Sequence, residues 1–234
     1  MEERSIAIDG PSGAGKSTLS KMAAKHYGMI YVDTGALYRC VGLQALRKGA
    51  ATKDEAGIKG ILTDIDIKMN IDDGGTQRMW LNGEDVTDKI RSPEASMAAS
   101  DVSALPCVRE FLFSTQREAA QKNDVIMDGR DIGTVVLPDA RIKVFLTASP
   151  DNRAARRYKE LIDRGESVLY EDVHRDLVER DRRDMGRQAS PLKVAPDAIL
   201  IDTTDLSLEA GYKKVRDVIF SELQKTCSQE SRDM

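Results

Sequence analysis

Apolar residues follow two rhythms along the chain. Five short runs are almost continuously apolar and stop at a turn residue or a carboxylate. They are Ser5-Ile6-Ala7-Ile8-Asp9, Met29-Ile30-Tyr31-Val32, Val125-Ile126-Met127, Ile142-Lys143-Val144-Phe145-Leu146 and Ala198-Ile199-Leu200-Ile201. Runs of this length bounded by turn signals predict buried strands. After the first, a helix is expected from Lys16 to about His26. After the second, Leu37, Val41 and Leu46 recur at helical spacing over Ala36 to Leu46. Strands alternating with helices predict an α/β fold, a five-stranded parallel sheet with helices on both faces.

One stretch, Asp64 to Pro93, changes to period two. Ile65, Ile67, Met69 and Ile71 alternate, and Asp72-Asp73-Gly74-Gly75 signals a hairpin. Arg78-Met79-Trp80-Leu81 resumes the alternation, and Asn82-Gly83 signals a second turn before Glu84-Asp85-Val86. Asn-Gly between alternating segments is a strong hairpin signal, because both turn residues must take positive φ. A small antiparallel three-stranded insert over 64–94 is therefore expected, with Trp80 in its core. The chain, 1–234, reads as one domain carrying this insert, with a polar tail, 225–234, expected to fray.

The turn after the first strand carries the clearest chemistry. Gly10-Pro11-Ser12-Gly13-Ala14-Gly15-Lys16-Ser17 fits G-x-x-x-x-G-K-[ST] at every required position, between a strand and a helix. Its glycines let backbone N–H groups converge on phosphate oxygens, and the helix dipole points to the same place. Lys16 can reach β- and γ-phosphates, and the Ser17 hydroxyl suits Mg²⁺. Asp128 follows the apolar run Val125-Ile126-Met127, the position of a carboxylate that holds Mg²⁺ beside such a loop. A GTPase would carry N-K-x-D, which is missing from the sequence.

Arginines at strand ends narrow the reaction. Arg39 follows the second strand and Arg130 the third, and ligands of parallel sheets sit at the carboxyl ends of strands. Both guanidiniums should face the phosphate loop, with a fork geometry suited to phosphate oxygens. More arginines follow: Arg153, Arg156 and Arg157, then Arg180, Arg182, Arg183 and Arg187. Arg182 and Arg183 read as a solvated face. The others suit a helical lid, about 149–192, closing over a transferring phosphoryl group. A donor phosphate on the loop and an acceptor phosphate on Arg39 and Arg130 suggest a nucleotide kinase.

Composition agrees and excludes alternatives. Hydrophobic residues are 41%, enough for a sizeable core, and aromatics only 5%, so that core must be aliphatic. Lys+Arg is 35 against Asp+Glu 39, a net charge of -4, which ranks nucleic acid low as a partner. No apolar run approaches the ~18 residues of a membrane span. Met1-Glu2-Glu3-Arg4 leads directly into the first strand, so no signal or transit peptide is expected. Cys40, Cys107 and Cys227 form neither a disulfide framework nor a zinc pattern, and His26 and His174 read as fillers. A cytoplasmic monomer is expected.

The chain resembles the bacterial cytidylate kinase (CMP/dCMP kinase) family of P-loop nucleoside monophosphate kinases. The resemblance runs from Ile6 to about Val218. It rests on Ile8 to Thr18, on Asp33-Thr34-Gly35-Ala36-Leu37-Tyr38-Arg39, and above all on Asp128-Gly129-Arg130-Asp131-Ile132-Gly133-Thr134. Phe145 to Ser149, Arg153 to Arg157, Pro191-Leu192 and Ile201 to Thr204 add to it, and the insert looks like that of the longer bacterial members. The resemblance implies transfer of the γ-phosphate of ATP to CMP or dCMP, with Mg²⁺. ATP would lie on Gly10, Pro11, Ser12, Gly13, Ala14, Gly15, Lys16, Ser17 and Thr18. The acceptor phosphate would meet Arg39, Arg130 and Arg187, with Thr34 and Tyr38 beside them. Cytosine would meet Ser100, Arg109 and Asp131, and the sugar Arg180 and Asp184. Lys16, Arg130, Arg153 and Arg157 would carry catalysis, and Ser17 and Asp128 the metal. Two rivals remain at this level: a small P-loop kinase with another acceptor, and a non-catalytic nucleotide-binding switch.

Overall fold

The computed structural model describes residues 5–72 and 75–230. In chain order the elements are β1 (Ser5–Asp9), α1 (Lys16–Tyr27), β2 (Ile30–Asp33), α2 (Thr34–Arg47), α3 (Glu55–Leu62), β3 (Ile67–Ile71), β4 (Gln77–Leu81) and β5 (Glu84–Asp85). Then follow α4 (Pro93–Val102), α5 (Pro106–Lys122), β6 (Val125–Gly129), β7 (Ile142–Thr147), α6 (Pro150–Asp163), α7 (Tyr170–Gly186), β8 (Ile199–Asp202) and α8 (Leu208–Glu230).

The main sheet has the order β2-β6-β1-β7-β8, and every pairing in it is parallel. β1, β2, β6 and β7 are buried on both faces, which is why they read as continuous apolar runs, whereas the edge strand β8 leaves Leu200 exposed. Alternation decides the faces. Ile6, Ile8 and Ile126 pack under α1 and α8 with Leu19, Val215 and Ile219. Ala7, Val125 and Met127 pack on the other side with Val32, Ala120 and Ile132. With β1 central, the loop leaving it emerges in the middle of the carboxyl edge, between Gly129 and Phe145, which pair to either side of Asp9.

β3, β4 and β5 form the separate antiparallel sheet expected from the alternation. Asn82 and Gly83 both take positive φ, 51° and 82°, in the turn between β4 and β5. Asp73 and Gly74 of the other turn signal lie outside the described residues. This sheet shares a core with the helices beside it: Met79 and Leu81 pack with Leu37, Val41, Ile58, Ile90 and Leu112. Trp80 does not fill that core. It alternates to the opposite face of β4 and is half-buried. α8 runs to Glu230, and 231–234 lie outside the described residues.

Candidate active site

The phosphate loop is shaped by its backbone. Gly10 has φ +148°, and a Cβ there would lie 2.0 Å from the Leu146 carbonyl oxygen, so no side chain fits. α1 starts after Gly15 without a side-chain cap, which leaves its first N–H groups aimed into the loop. The Lys16 ammonium is buried and donates to the Pro11 carbonyl at 2.7 Å, so it spans the loop. Burial, then the charge of Arg130, pushes its pKa well below the usual lysine range. A phosphate on the loop would relieve that cost.

Beside the loop, the Ser17 hydroxyl donates to Asp128 Oδ2 at 2.8 Å, and Tyr31 OH donates to Oδ1 at 3.2 Å. Asp128 is buried, and burial, with Asp33 next to it across the strand pair, pushes its carboxyl up to about 6. Two hard oxygen donors at the phosphate loop, one of them a desolvated carboxylate short of cationic partners, fit Mg²⁺, which binds through few protein oxygens plus phosphates. Thr34 supports the strand end by donating its hydroxyl to the Asp128 carbonyl at 2.8 Å.

Asp9 was not singled out by sequence. It is buried at the end of β1, and its two oxygens accept the N–H groups of Ile132 and Gly133, each at 2.8 Å. Those bonds fix the wide helical turn Ile132–Val136 that follows Arg130 and Asp131. Burial outweighs them and raises the Asp9 carboxyl to about 6.

Opposite the loop, five guanidiniums from four places in the chain gather around three carboxylates. Arg130 Nε donates to Asp184 of α7 at 2.9 Å. Arg109 of α5 pairs with Asp131 Oδ2, and Arg187 reaches Asp131 Oδ1 at 3.4 Å. Arg39 lies 3.3 Å from Asp33 Oδ2. Arg180 is buried, its Nε has no protein partner, and burial together with Arg130 lowers its pKa to about 10. Burial opposes ionisation of Asp184, but Arg130 and Arg180 hold its carboxyl below the usual range. Tyr38 supports the floor, with the Arg109 guanidinium 5.6 Å from its ring centroid. All these residues line one cleft of about 930 Å³ with the phosphate loop.

The helical hairpin of α6 and α7 forms the far wall. Its arginines separate by burial. Arg153 is turned away from the cleft: its Nε donates to the Ala148 carbonyl at 2.8 Å, and Nη1 meets the Ser12 carbonyl at 2.9 Å and Asp181 at 2.6 Å. It ties the hairpin to the loop. Arg156, which carried no individual role in the sequence, lines the cleft and holds Thr203. Arg157 also lines it, 2.9 Å from Glu160. Arg182 is exposed and paired with Glu179, the solvated face expected. Ser100 does not line the cleft, although its neighbours Ala99 and Ser103 do, and its hydroxyl is buried without a partner.

A cleft with a phosphate loop at one end and an arginine cluster at the other is matched by known sequences. The family model for cytidylate kinase fits residues 6–221. The cytidylate kinase of Caldicellulosiruptor bescii is 50% identical over 220 residues, covering 94% of this chain and 97% of that protein. That of Carboxydothermus hydrogenoformans is 49% identical, covering 92% and 96%. The chain belongs to the cytidylate kinase family. It is thus a phosphotransferase of P-loop kinase fold, and the Gly129-Arg130-Asp131-Ile132-Gly133-Thr134 block, which carried the resemblance, is the segment that Asp9 pins beneath the cleft. Among the described residues, no helix is long and apolar enough to cross a membrane.

Proposed function

We propose that the protein transfers the γ-phosphate of ATP to CMP or dCMP, giving ADP and CDP or dCDP. One observation carries the reading: the cleft faces a phosphate loop with Arg39, Arg109, Arg130, Arg180 and Arg187, against which stand Asp33, Asp131 and Asp184. The excess of two positive charges matches an acceptor phosphate monoester, which carries about two negative charges at neutral pH. ATP lies on Gly10 to Thr18. Arg39, Arg130 and Arg187 hold the acceptor phosphate. Asp184 and Arg180 meet the sugar, and Asp131, Arg109 and Ser100 read the base. The buried, unpartnered Arg180 Nε in the cleft wall supports this, because a bound ligand would satisfy a group that otherwise costs about 1–3 kcal/mol.

The acceptor oxygen is already ionised at neutral pH, so the transfer requires no general base. Catalysis is positioning and charge neutralisation by Lys16, Arg130 and the hairpin arginines facing the cleft. Arg157 lines the cleft and can exchange its half-exposed Glu160 pairing for the phosphates, and Arg153 serves by fixing the loop to the hairpin. Ser17 and Asp128 would hold Mg²⁺, which supplies charge neutralisation at the β- and γ-phosphate oxygens. The hairpin acts as a lid that excludes water. With both nucleotides bound, amides of α6 and α7 should become protected from hydrogen exchange, and equal protection with and without nucleotides would remove the lid. We read the protein as a cytoplasmic monomer, since one chain completes the cleft and Cys40 and Cys107 are free thiols.

An ADP-release assay with CMP, dCMP, UMP and AMP tests the reaction. Turnover highest with CMP or dCMP is expected. Negligible turnover with every acceptor would contradict it and favour a nucleotide-binding switch.

A further inference from the structure

The antiparallel sheet reaches the active site through one buried side chain. Gln77, the first residue of β4, is 7% exposed. Its Oε1 accepts the Asp33 backbone N–H at 2.7 Å, and its Nε2 donates to the Asp33 carbonyl at 3.2 Å. β2 is an edge strand, so these Asp33 groups have no neighbouring strand on that side. The Gln77 amide takes the place of a strand there, with one donor and one acceptor against one acceptor and one donor.

What Gln77 grips is the residue that sets up the acceptor end. Asp33 Oδ1 accepts the Ala36 N–H at 3.2 Å and so caps α2. Its Oδ2 meets Arg39 Nη1 at 3.3 Å. Gly35 leaves little slack, since a Cβ there would lie 3.0 Å from Asp33 Oδ1 and 3.7 Å from Arg39 Nη2. Arg39 is the most exposed of the four ion-paired arginines in the cluster, at 26%, and its Asp33 pairing is what fixes its direction. We infer that Gln77 is a positioning residue for Arg39, and that through it the insert sets the affinity for the acceptor phosphate. This rests on the reading of Arg39 as an acceptor-phosphate ligand.

The alternative is that Gln77 only satisfies the edge of β2 and stabilises the docked sheet. Steady-state kinetics separates the two. Gln77→Met keeps the length and loses both hydrogen bonds. It should raise KM for CMP on the order of tenfold while leaving KM for ATP within about twofold. In an Arg39→Ala background the same substitution should add nothing to KM for CMP, because its effect passes through Arg39. Gln77→Glu keeps the acceptor oxygen and loses the donor, and should fall between wild type and Gln77→Met. If Gln77→Met does not fold, Gln77→Glu carries the same cycle. A wild-type KM for CMP in a folded Gln77 variant, alongside a raised one in Arg39→Ala, would overturn this inference alone. So would an equal rise in both backgrounds. A wild-type KM for CMP in Arg39→Ala would overturn the phosphate role of Arg39 and this inference with it.

Discussion

The two ends of the cleft are built in opposite ways. The end proposed for the donor is one contiguous segment, Gly10 to Ser17, whose groups are mostly backbone N–H at a helix start, with Lys16 laid across them, and the other end is the proposed acceptor side. The acceptor end draws Arg39, Arg109, Arg130, Arg180 and Arg187 from α2, α5, the turn after β6, and α7 with its C-terminal flank. Backbone donors are neutral and have nothing to exchange. Four of the guanidiniums, all but Arg180, are already paired with carboxylates, so binding there means exchanging partners: Asp184 shares Arg130, and Asp131 shares Arg109 and Arg187, with whatever arrives. If the proposed roles hold, a rigid phosphate site is made from loop geometry, whereas a site that must also recognise a base and a sugar is made from paired charges. Such pairs hold each other in place at a cost in desolvation.

The largest effect that this contrast predicts lies at the donor end. Lys16 is the sole side-chain cation within the loop, and no acceptor-side arginine can replace a charge shared between β- and γ-phosphates. Lys16→Ala should lower kcat by about 10²–10³-fold or more with the fold intact, since the residue supports no apolar core. Circular dichroism with single-turnover kinetics checks both parts. An active variant would place the catalytic charge elsewhere.

That contrast also explains what was legible in the sequence. The loop was read in full because its function needs only consecutive residues in strand-turn-helix context. Arg39 and Arg130 were legible because strand ends in a parallel sheet converge. Arg180, Asp184 and Arg187 came through family resemblance, since nothing in their local spacing distinguishes them from Arg182 and Arg183 on the same helix. Helical spacing could not separate Arg153 from Arg156 either. The partner that draws Arg153 inward, Asp181, lies on the other helix of the hairpin. Asp9 and Gln77 were missed for a related reason. Both act on backbone groups far away in the chain, and sequence carries no mark of a side chain that bonds a distant main chain.

The smallest effect concerns Asp9, which belongs to neither end but holds the turn beneath the acceptor side. Burial raises its carboxyl to about 6 in the folded protein, above the value near 3.8 of the unfolded chain. The folded state therefore binds the proton more tightly. The stability it contributes is fully present below about pH 4 and is lost as pH rises through about 6. Denaturant unfolding of wild type and Asp9→Asn should show a larger advantage for wild type at pH 5 than at pH 7. A difference that does not change with pH would mean that the two N–H bonds from Ile132 and Gly133 outweigh burial.

The acceptor end is proposed to read a base with charge it already holds paired. Asp131 spends one oxygen on Arg109 and the other on Arg187, yet a carboxylate offers about four lone-pair sites, so it can accept again. Cytosine presents an amino donor where uracil presents a carbonyl, and an ionised carboxylate favours the first and repels the second. The most direct measurement is kcat/KM for CMP and for UMP, at saturating ATP, in wild type and Asp131→Ala. The preference for CMP should shrink by about 10–100-fold, the equivalent of ~1–3 kcal/mol for one base edge. If both substrates lose the same factor, Asp131 only orients Arg109 and Arg187, and the base is read by other groups.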